Sequence, residues 1–356
     1  MQASKSLAQP ARRPIEIVSQ FWAWLFLLAL IIFFSISGQG FLSFFNIQSI
    51  GTDMAFALIM ALGQTFVIIA GGIDLSTGFI MGLSAVVSAQ VLTDLGGKLP
   101  LPAVILLGML AGIAVGVIPG LCNGIIIGRL RVPPFIVTLG MYGIARGVGF
   151  LLSGGQPVSV QVNGIGDLGN GYLFYFHPSF GLTLFHAPAN LTVAQQHDML
   201  SLLPYPLILI VVLVLICHWL LTHTRFGQHT YAIGGNQEAS LRAGIPVIRH
   251  TVAIYMLSAL LSSIAGVLYT LRFTNGAANA GDPLLLDSIA AVVIGGASLF
   301  GGEGTIIGTL IGALIIAVIQ NGLVIIGIEP YWQFVAVGVI IILAVLVDQA
   351  KARVVE

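Results

Sequence analysis

The sequence predicts an all-α polytopic membrane protein of about ten transmembrane helices, arranged as two related halves. Three observations carry this. First, 57% of the 356 residues are hydrophobic and only 7% are charged, against roughly a quarter charged in a soluble domain. Second, the apolar residues gather into runs near the ~20 residues that cross ~30 Å of hydrocarbon. Third, 44 residues are Gly, as expected where membrane helices pack backbone to backbone. The 13 basic and 13 acidic residues cancel, so no net field draws in nucleic acid. Cys122 and Cys217 lie far apart in apolar runs, which argues against a disulfide framework or a zinc site.

Residues 1–20 read as a cytoplasmic tail, and Phe21–Ser37 as an uncleaved first helix, since no small-residue cleavage site follows it. The next spans are Ile50–Ala70, Gly78–Leu95, Leu101–Ile127, Phe135–Ser153 and Pro204–Leu221. Thr251–Leu271, Leu285–Leu299, Thr305–Ile326 and Tyr331–Val347 follow. Residues 21–348 thus form one transmembrane domain, and 349–356 a second cytoplasmic tail. With the N-terminus inside, ten of the thirteen basic residues fall on the cytoplasmic side, among them Arg129, Arg131, Arg225, Arg242 and Arg249. Only Lys98 and Arg272 fall outside, and Arg146 lies within a span. This bias supports both termini inside. Gly154–Leu203 is then the long external loop and Thr222–His250 an internal one.

Two glycine patterns bear on packing. Val67–Gly82 and Val292–Gly308 align at an offset of 224, with Gly71-Gly72 on Gly295-Gly296 and Gly78 on Gly302. Each is an apolar run, a glycine pair, a polar break and another apolar run, which suggests parallel repeats. The fourth span carries Gly108, Gly112, Gly116, Gly120, Gly124 and Gly128. Steps of four drift about 40° each on a helix, so this ladder should meet more than one neighbour.

Catalytic motifs are missing. There is no Gly-x-x-x-x-Gly-Lys-Ser/Thr phosphate loop. Gly164, Gly166 and Gly169 form a Gly-x-Gly-x-x-Gly, but without the strand and helix a dinucleotide needs. The seven His residues form no His-x-x-x-His pair on a span. The chain is read as no enzyme, with neither metal nor cofactor of its own. Chemistry instead centres on Gly71–Gly78, where Asp74 and Ser76 follow a glycine pair. Asp at the bilayer must be paired, hydrated or capping, and Asp74 suits the N-cap of the helix that follows the break. Gln64, Asn123, Asn275, Asn279 and Asp282 are further polar groups at breaks, able to hydrogen-bond a neutral solute. In Thr222–Pro246, a short helix at Gln237–Ala243 is bounded by Gly235 and Gly244; its small residues suit a partner's groove, and Arg225 and Arg242 its rim.

These residues resemble a family. GGIDLSTG at 71–78, VPPFIVTLGMYGIARGVGFLLSGGQPV at 132–158, TRFGQHTYAIGGNQEASLRAGIP at 224–246 and LDSIAAVVIGGASLFGGEGTIIGTLIGA at 286–313 are similar to blocks of ribose/xylose/galactose-type bacterial ABC sugar importer permeases. The resemblance covers roughly 45–348, and Gly169–Met199 falls outside its blocks. It implies an inner-membrane subunit, paired with a second permease subunit, that carries a pentose or hexose by alternating access. A separate cytoplasmic ATPase would bind the ATP, and a periplasmic binding protein would deliver the sugar. It also implies that the 224–246 loop contacts the ATPase through Arg225, Gly227, Glu238, Ala239 and Gly244. The sugar would pass near Gln64, Asp74, Ser76, Asn123, Asn275, Asn279 and Asp282. Other readings are an ABC permease for branched-chain amino acids or nucleosides, and an ion-coupled secondary transporter. The latter needs carboxylates inside spans, but Asp53, Asp74, Asp287 and Glu303 sit near predicted span ends.

Overall fold

A computed structural model describes residues 14–188, 192, 195, 199–329, 331–339 and 342. The expected tails at 1–13 and 349–356, and most of the tenth span beyond 339, lie outside the described residues. The fold is a helical bundle. Among the described residues, six helices are long and apolar enough to cross a membrane, and one bent helix pair passes the same test when its two parts are taken together.

Helix α1 (Pro14–Ser37) is followed by α2 (Phe44–Asp53) and α3 (Ala55–Ile69). The last two meet at a 44° bend, so the predicted Ile50–Ala70 span is a broken one that starts inside α2. Ser43 caps α2 by accepting the Asn46 N–H, which satisfies one of the free donors at a helix start. After a break come α4 (Thr77–Leu95), α5 (Leu101–Leu130) and α6 (Pro134–Ser153). Prolines at the first turns of α5 and α6 suit positions where an N–H has no helical partner. After the long loop, α8 (Tyr205–His223) crosses back, and α9 (Arg225–Gly235) and α10 (Gln237–Arg242) lie across one end. The long α11 (Val247–Phe273), α12 (Asp282–Ile294) and α13 (Ile306–Ile325) follow, then a helical stretch at 331–339. We call the end that carries α9 and α10 the lower end, and the opposite one the upper end.

The long loop is more than a loop. It holds a short helix α7 (Gly166–Asn170) and strands β1 (Val158–Ser159), β2 (Tyr172–His177), β3 (Gly181–Leu184) and β4 (Leu200–Pro204). β3, β2 and β4 form an antiparallel sheet, with Tyr175 opposite both Thr183 and Ser201. The aromatic-rich run YLFYFH favours an extended chain, a signal that span-counting passes over.

The core is built on α3, α4 and α11. Leu58, Ile59, Met60, Ile68 and Ile80 are fully buried. The α5 glycine ladder does meet two neighbours. Gly108 faces Leu92 and Ser88 of α4, Gly112 faces both α4 and α11, and Gly116 to Gly128 run along α11.

The predicted eighth span, Leu285–Leu299, needs correction. α12 begins at Asp282 and stops at Ile294, so its 13 residues cover only about 20 Å. Gly296 takes φ +91 and donates to Val293 O, while Ala297 donates to Val292 O, the left-handed cap that ends a helix. The rest of the crossing is non-helical. From β5 (Asn275–Gly276), which pairs with β1, the chain dips from the upper end alongside α4. A β-carbon on Gly82 would stand 1.9 Å from Ala278 O, and one on Gly281 would stand 2.3 Å from Gly78 O. α4 and α12 therefore start back to back inside the bundle and run to opposite ends.

The repeat survives with a shifted register. Gly71, at φ +81, donates to Ile68 O, and Gly72 to Val67 O. This is the cap seen at Gly296 and Ala297, so the matching offset is 225 instead of 224. Gly78 lies within α4 and Gly302 in the turn before α13, so that pairing fails. Only one glycine of each pair occupies the left-handed position, the first in one half and the second in the other.

Candidate functional site

Three places hold the predicted residues. The first is the break at 70–76. The chain leaves α3 at Ile69, turns at Gly71 and re-enters the bundle, so that Asp74 returns to the height of Gln64. The Gln64 side-chain amide donates to Asp74 O, and the Asp74 N–H donates to Gln64 Oε1 at 3.4 Å. The Asp74 carboxylate accepts the Ser76 N–H at 3.0 Å, the Ser76 hydroxyl at 2.5 Å and the Ser258 hydroxyl of α11 at 3.0 Å. Asn123 of α5 donates to the Ser76 hydroxyl at 3.0 Å, and Thr138 of α6 donates to Ile73 O at 3.1 Å. Gln64, Asp74, Ser76 and Asn123 are all fully buried. The structure thus joins four of the predicted pathway residues in one enclosed network, where they bind each other. The N-cap of α4 is Ser76, not Asp74. Asp74 instead holds the turn just ahead of it and ties that turn to α11.

Below this network opens a cleft of about 270 Å³ lined by Gly72, Arg131, Gln237, Thr251 and Tyr255. The Tyr255 hydroxyl is buried without a hydrogen-bond partner among the described residues.

The second place is the meeting point of α4, α6 and α12. Asp282 opens α12 and accepts the Tyr142 hydroxyl of α6 at 3.2 Å. The Tyr142 ring meets Phe79 edge-on at 4.6 Å between centroids. Arg146, one turn above Tyr142, lies 5.5 Å from the Phe79 ring centre, in the geometry of a cation–π contact. Arg146 and Asp282 are exposed, as is Asn279, whose carbonyl accepts the Asp282 N–H. Asn275 lies apart, in β5 opposite Ser159. Sequence reasoning named Asn279 and Asp282 but missed Tyr142, Arg146 and Phe79. The available signal was a lone arginine within an apolar span.

The third place is the lower end. Thr224 caps α9 and Asn236 caps α10, the latter accepting the Ala239 N–H at 2.9 Å. Gly244, at φ +83, closes α10, within a residue of the expected bounds. Glu238, Ala239, Arg242 and Gly244 are exposed, and Glu238 pairs with Arg242 at 2.5 Å. Arg225 starts α9, and Gly227 packs against Leu221 O of α8. α9 is anchored inward. The Tyr231 hydroxyl donates to Gly304 O at 2.6 Å, and Gly234 abuts both Ile69 O and Gly302. Arg129, Arg131, Arg225, Arg242 and Arg249 all gather at this end, with Lys98 and Arg272 at the other. Among the described residues no group of three His, Cys, Asp or Glu could hold a metal.

Comparison with known proteins then decides the family. Residues 46–345 match the family model described as branched-chain amino acid transport system / permease component. The chain belongs to this permease family. It is 38% identical to the ribose import permease protein of Bacillus subtilis (strain 168), over 92% of this chain and 91% of that one. It is 37% identical to the fructose import permease protein of Rhizobium meliloti, over 90% and 82%. It is 32% identical to the xylose transport system permease protein of Escherichia coli K12, over 92% and 91%. No solved structure matches the chain significantly. The protein is thus a multi-pass membrane permease component of bacterial type, and not an enzyme.

Proposed function

We propose that this permease is the membrane subunit of an ATP-binding-cassette importer that carries a monosaccharide across the inner membrane, powered by a separate cytoplasmic ATPase. The observation that carries the reading is the grip of α9 on both breaks. Its Gly234 abuts Ile69, where the first break starts, and Tyr231 bonds Gly304 in the second. A push on the exposed α10 would reach α4 and α13 together, since both helices start from these breaks. That is what alternating access by an external motor requires. Arg225, Glu238, Ala239 and Gly244 would form the ATPase contact, while Gly227, expected there as well, is buried and instead seats α9 against α8; the ATP would be bound by that partner. The lower end, with five of the described arginines, would face the cytoplasm. The sheet at the upper end would face the periplasm, where a sugar-binding protein docks. A second copy of the chain would complete the passage. A monosaccharide fits the relatives named for ribose, fructose and xylose better than the amino acid in the family's description.

The test is reconstitution in proteoliposomes with a candidate ABC ATPase and a candidate periplasmic sugar-binding protein. Uptake of radiolabelled ribose, fructose, galactose, xylose and leucine is compared with and without ATP. ATP-dependent uptake of one of the sugars is expected. Uptake of leucine alone, or sugar uptake that persists without ATP, overturns the reading.

A further inference from the structure

The mid-depth cluster on α6 is not explained by the fold. Tyr142 lies about 12 Å along α6 from its lower end and about 16 Å from its upper end, at 1.5 Å per residue. Arg146 is one turn above. Both therefore lie within the hydrocarbon zone if the bundle spans a membrane. Arg146 is exposed and has no ion pair among the described residues. Asp282, also exposed, reaches this depth only because the 275–281 segment dips into the bundle.

A guanidinium without an ion pair and a carboxylate facing acyl chains are costly, and such groups line water-filled paths instead. The outward face of α8 shows the contrast, with Val211, Leu215 and Trp219 exposed and no Asp, Glu, Lys or Arg along the helix. Around Arg146, α6 carries Gly140, Gly143 and Gly147, and a β-carbon at any of the three would meet nothing within 4 Å. The floor beside the charge is open. At the same height Tyr142 adds a half-buried ring, held edge-on against the buried Phe79.

We propose that Tyr142, Arg146 and Asp282, with Phe79 beside them, form a wet contact station for the solute at mid-depth, on a face that borders the passage and not lipid. The solute class is a neutral polyhydroxylated ring. Its hydroxyls would donate to Asp282 and accept from Arg146, and its apolar C–H face would rest on the half-buried Tyr142 ring, which the buried Phe79 holds from behind. The assignment of a sugar rests on the proposed function; the assignment of a water-filled face does not.

The test begins with a chain whose Cys122 and Cys217 are replaced, assembled with its ATPase in proteoliposomes. Gly147→Cys is placed on the proposed wet face and Leu215→Cys on the outward face of α8. A charged, water-soluble thiol reagent should modify Gly147→Cys at least tenfold faster. Whichever of ribose, fructose, galactose or xylose the parent transports should slow that reaction at least twofold. Equal rates at the two positions overturn the wet face, and an unslowed reaction overturns the sugar contact. Arg146→Ala and Tyr142→Phe give the second readout. Uptake should fall at least tenfold while ATP hydrolysis stimulated by the binding protein stays within twofold. A variant that transports like the parent refutes the station. Should the parent carry none of these sugars, the import reading falls, and the labelling rates still decide whether this face is wet.

Discussion

The Gly302 N–H donates to the Ile69 carbonyl at 2.8 Å, a bond that joins the second break of the chain to the end of the helix before the first. Gly234 of α9 lies against both residues. Three segments distant in sequence thus meet backbone to backbone, with no side chain between them to absorb a displacement.

That junction should tolerate no added atom. A β-carbon at Gly234 would stand 1.7 Å from Ile69 O, so Gly234→Val must push α9 away from both breaks. Overpacking of this kind costs about 1–3 kcal/mol. ATP-dependent uptake should fall at least tenfold. Gly235→Ala, next to it in open space, should stay within twofold. Equal behaviour of the two variants would remove the mechanical role of the junction.

Asp74 should act through its hydrogen bonds. Asp74→Asn keeps an acceptor for Ser76 and should retain most uptake. Asp74→Ala strands the buried Ser76 N–H and the Ser258 hydroxyl, at a cost of about 1–3 kcal/mol for each unsatisfied group. Its melting temperature in detergent should drop by several degrees. An inactive Asp74→Asn protein with unchanged melting would point instead to a step that needs the charge.

The exposed helix α10 should matter to a partner and not to the fold. An exposed i,i+4 pair such as Glu238–Arg242 is worth about 0.3–0.5 kcal/mol. Glu238→Lys should therefore leave melting nearly unchanged while co-purification with the ATPase is lost. Gly244→Arg adds a bulky charge where φ is +83 and should abolish uptake without preventing membrane insertion. Normal uptake and co-purification in both variants would make α10 an ordinary solvated turn.

Orientation is open to direct measurement. In the cysteine-free chain, Ser159→Cys at the upper end and Gln228→Cys on α9 are both exposed. An impermeant thiol reagent on intact spheroplasts should label only Ser159→Cys. Labelling of Gln228→Cys from outside would invert the topology.

The parts legible in the sequence were those where a helix is apolar from end to end. α4, α5, α6, α8, α11 and α13 lie within a few residues of their predicted runs. The bounds of α10 were legible because glycine and asparagine mark helix ends through backbone conformation and capping, which depend on local sequence. The 275–281 segment was not. TNGAANAGDP looks like a solvated turn, yet Gly276, Ala277 and Ala278 are buried, because residues this small can lie directly on the α4 backbone. For the same reason α12 was placed three residues late and carried five too far. The site divided likewise. Gln64, Asp74, Ser76 and Asn123 were each visible as polar groups in apolar surroundings, but that they satisfy one another is a property of three-dimensional contact. Tyr142 and Phe79 looked like ordinary span residues, since nothing local shows that Tyr142 bonds Asp282 and packs on the buried Phe79 ring.

The dip at 275–281 also bears on how the protein is made. A non-helical backbone cannot enter hydrocarbon alone, because many of its N–H and C=O groups would lose water without gaining partners. Here its cover comes from α4, whose Gly82 and Ala85 lie against it, and from β1, which pairs with its first residues. Both are translated well before Asn275 leaves the ribosome. The chain order thus sets an insertion order: the groove must be assembled first, and the half-span is threaded into it afterwards. Truncation after α11 should leave a stably inserted but incomplete bundle, whereas 275–294 fused behind an unrelated soluble domain should fail to insert at all.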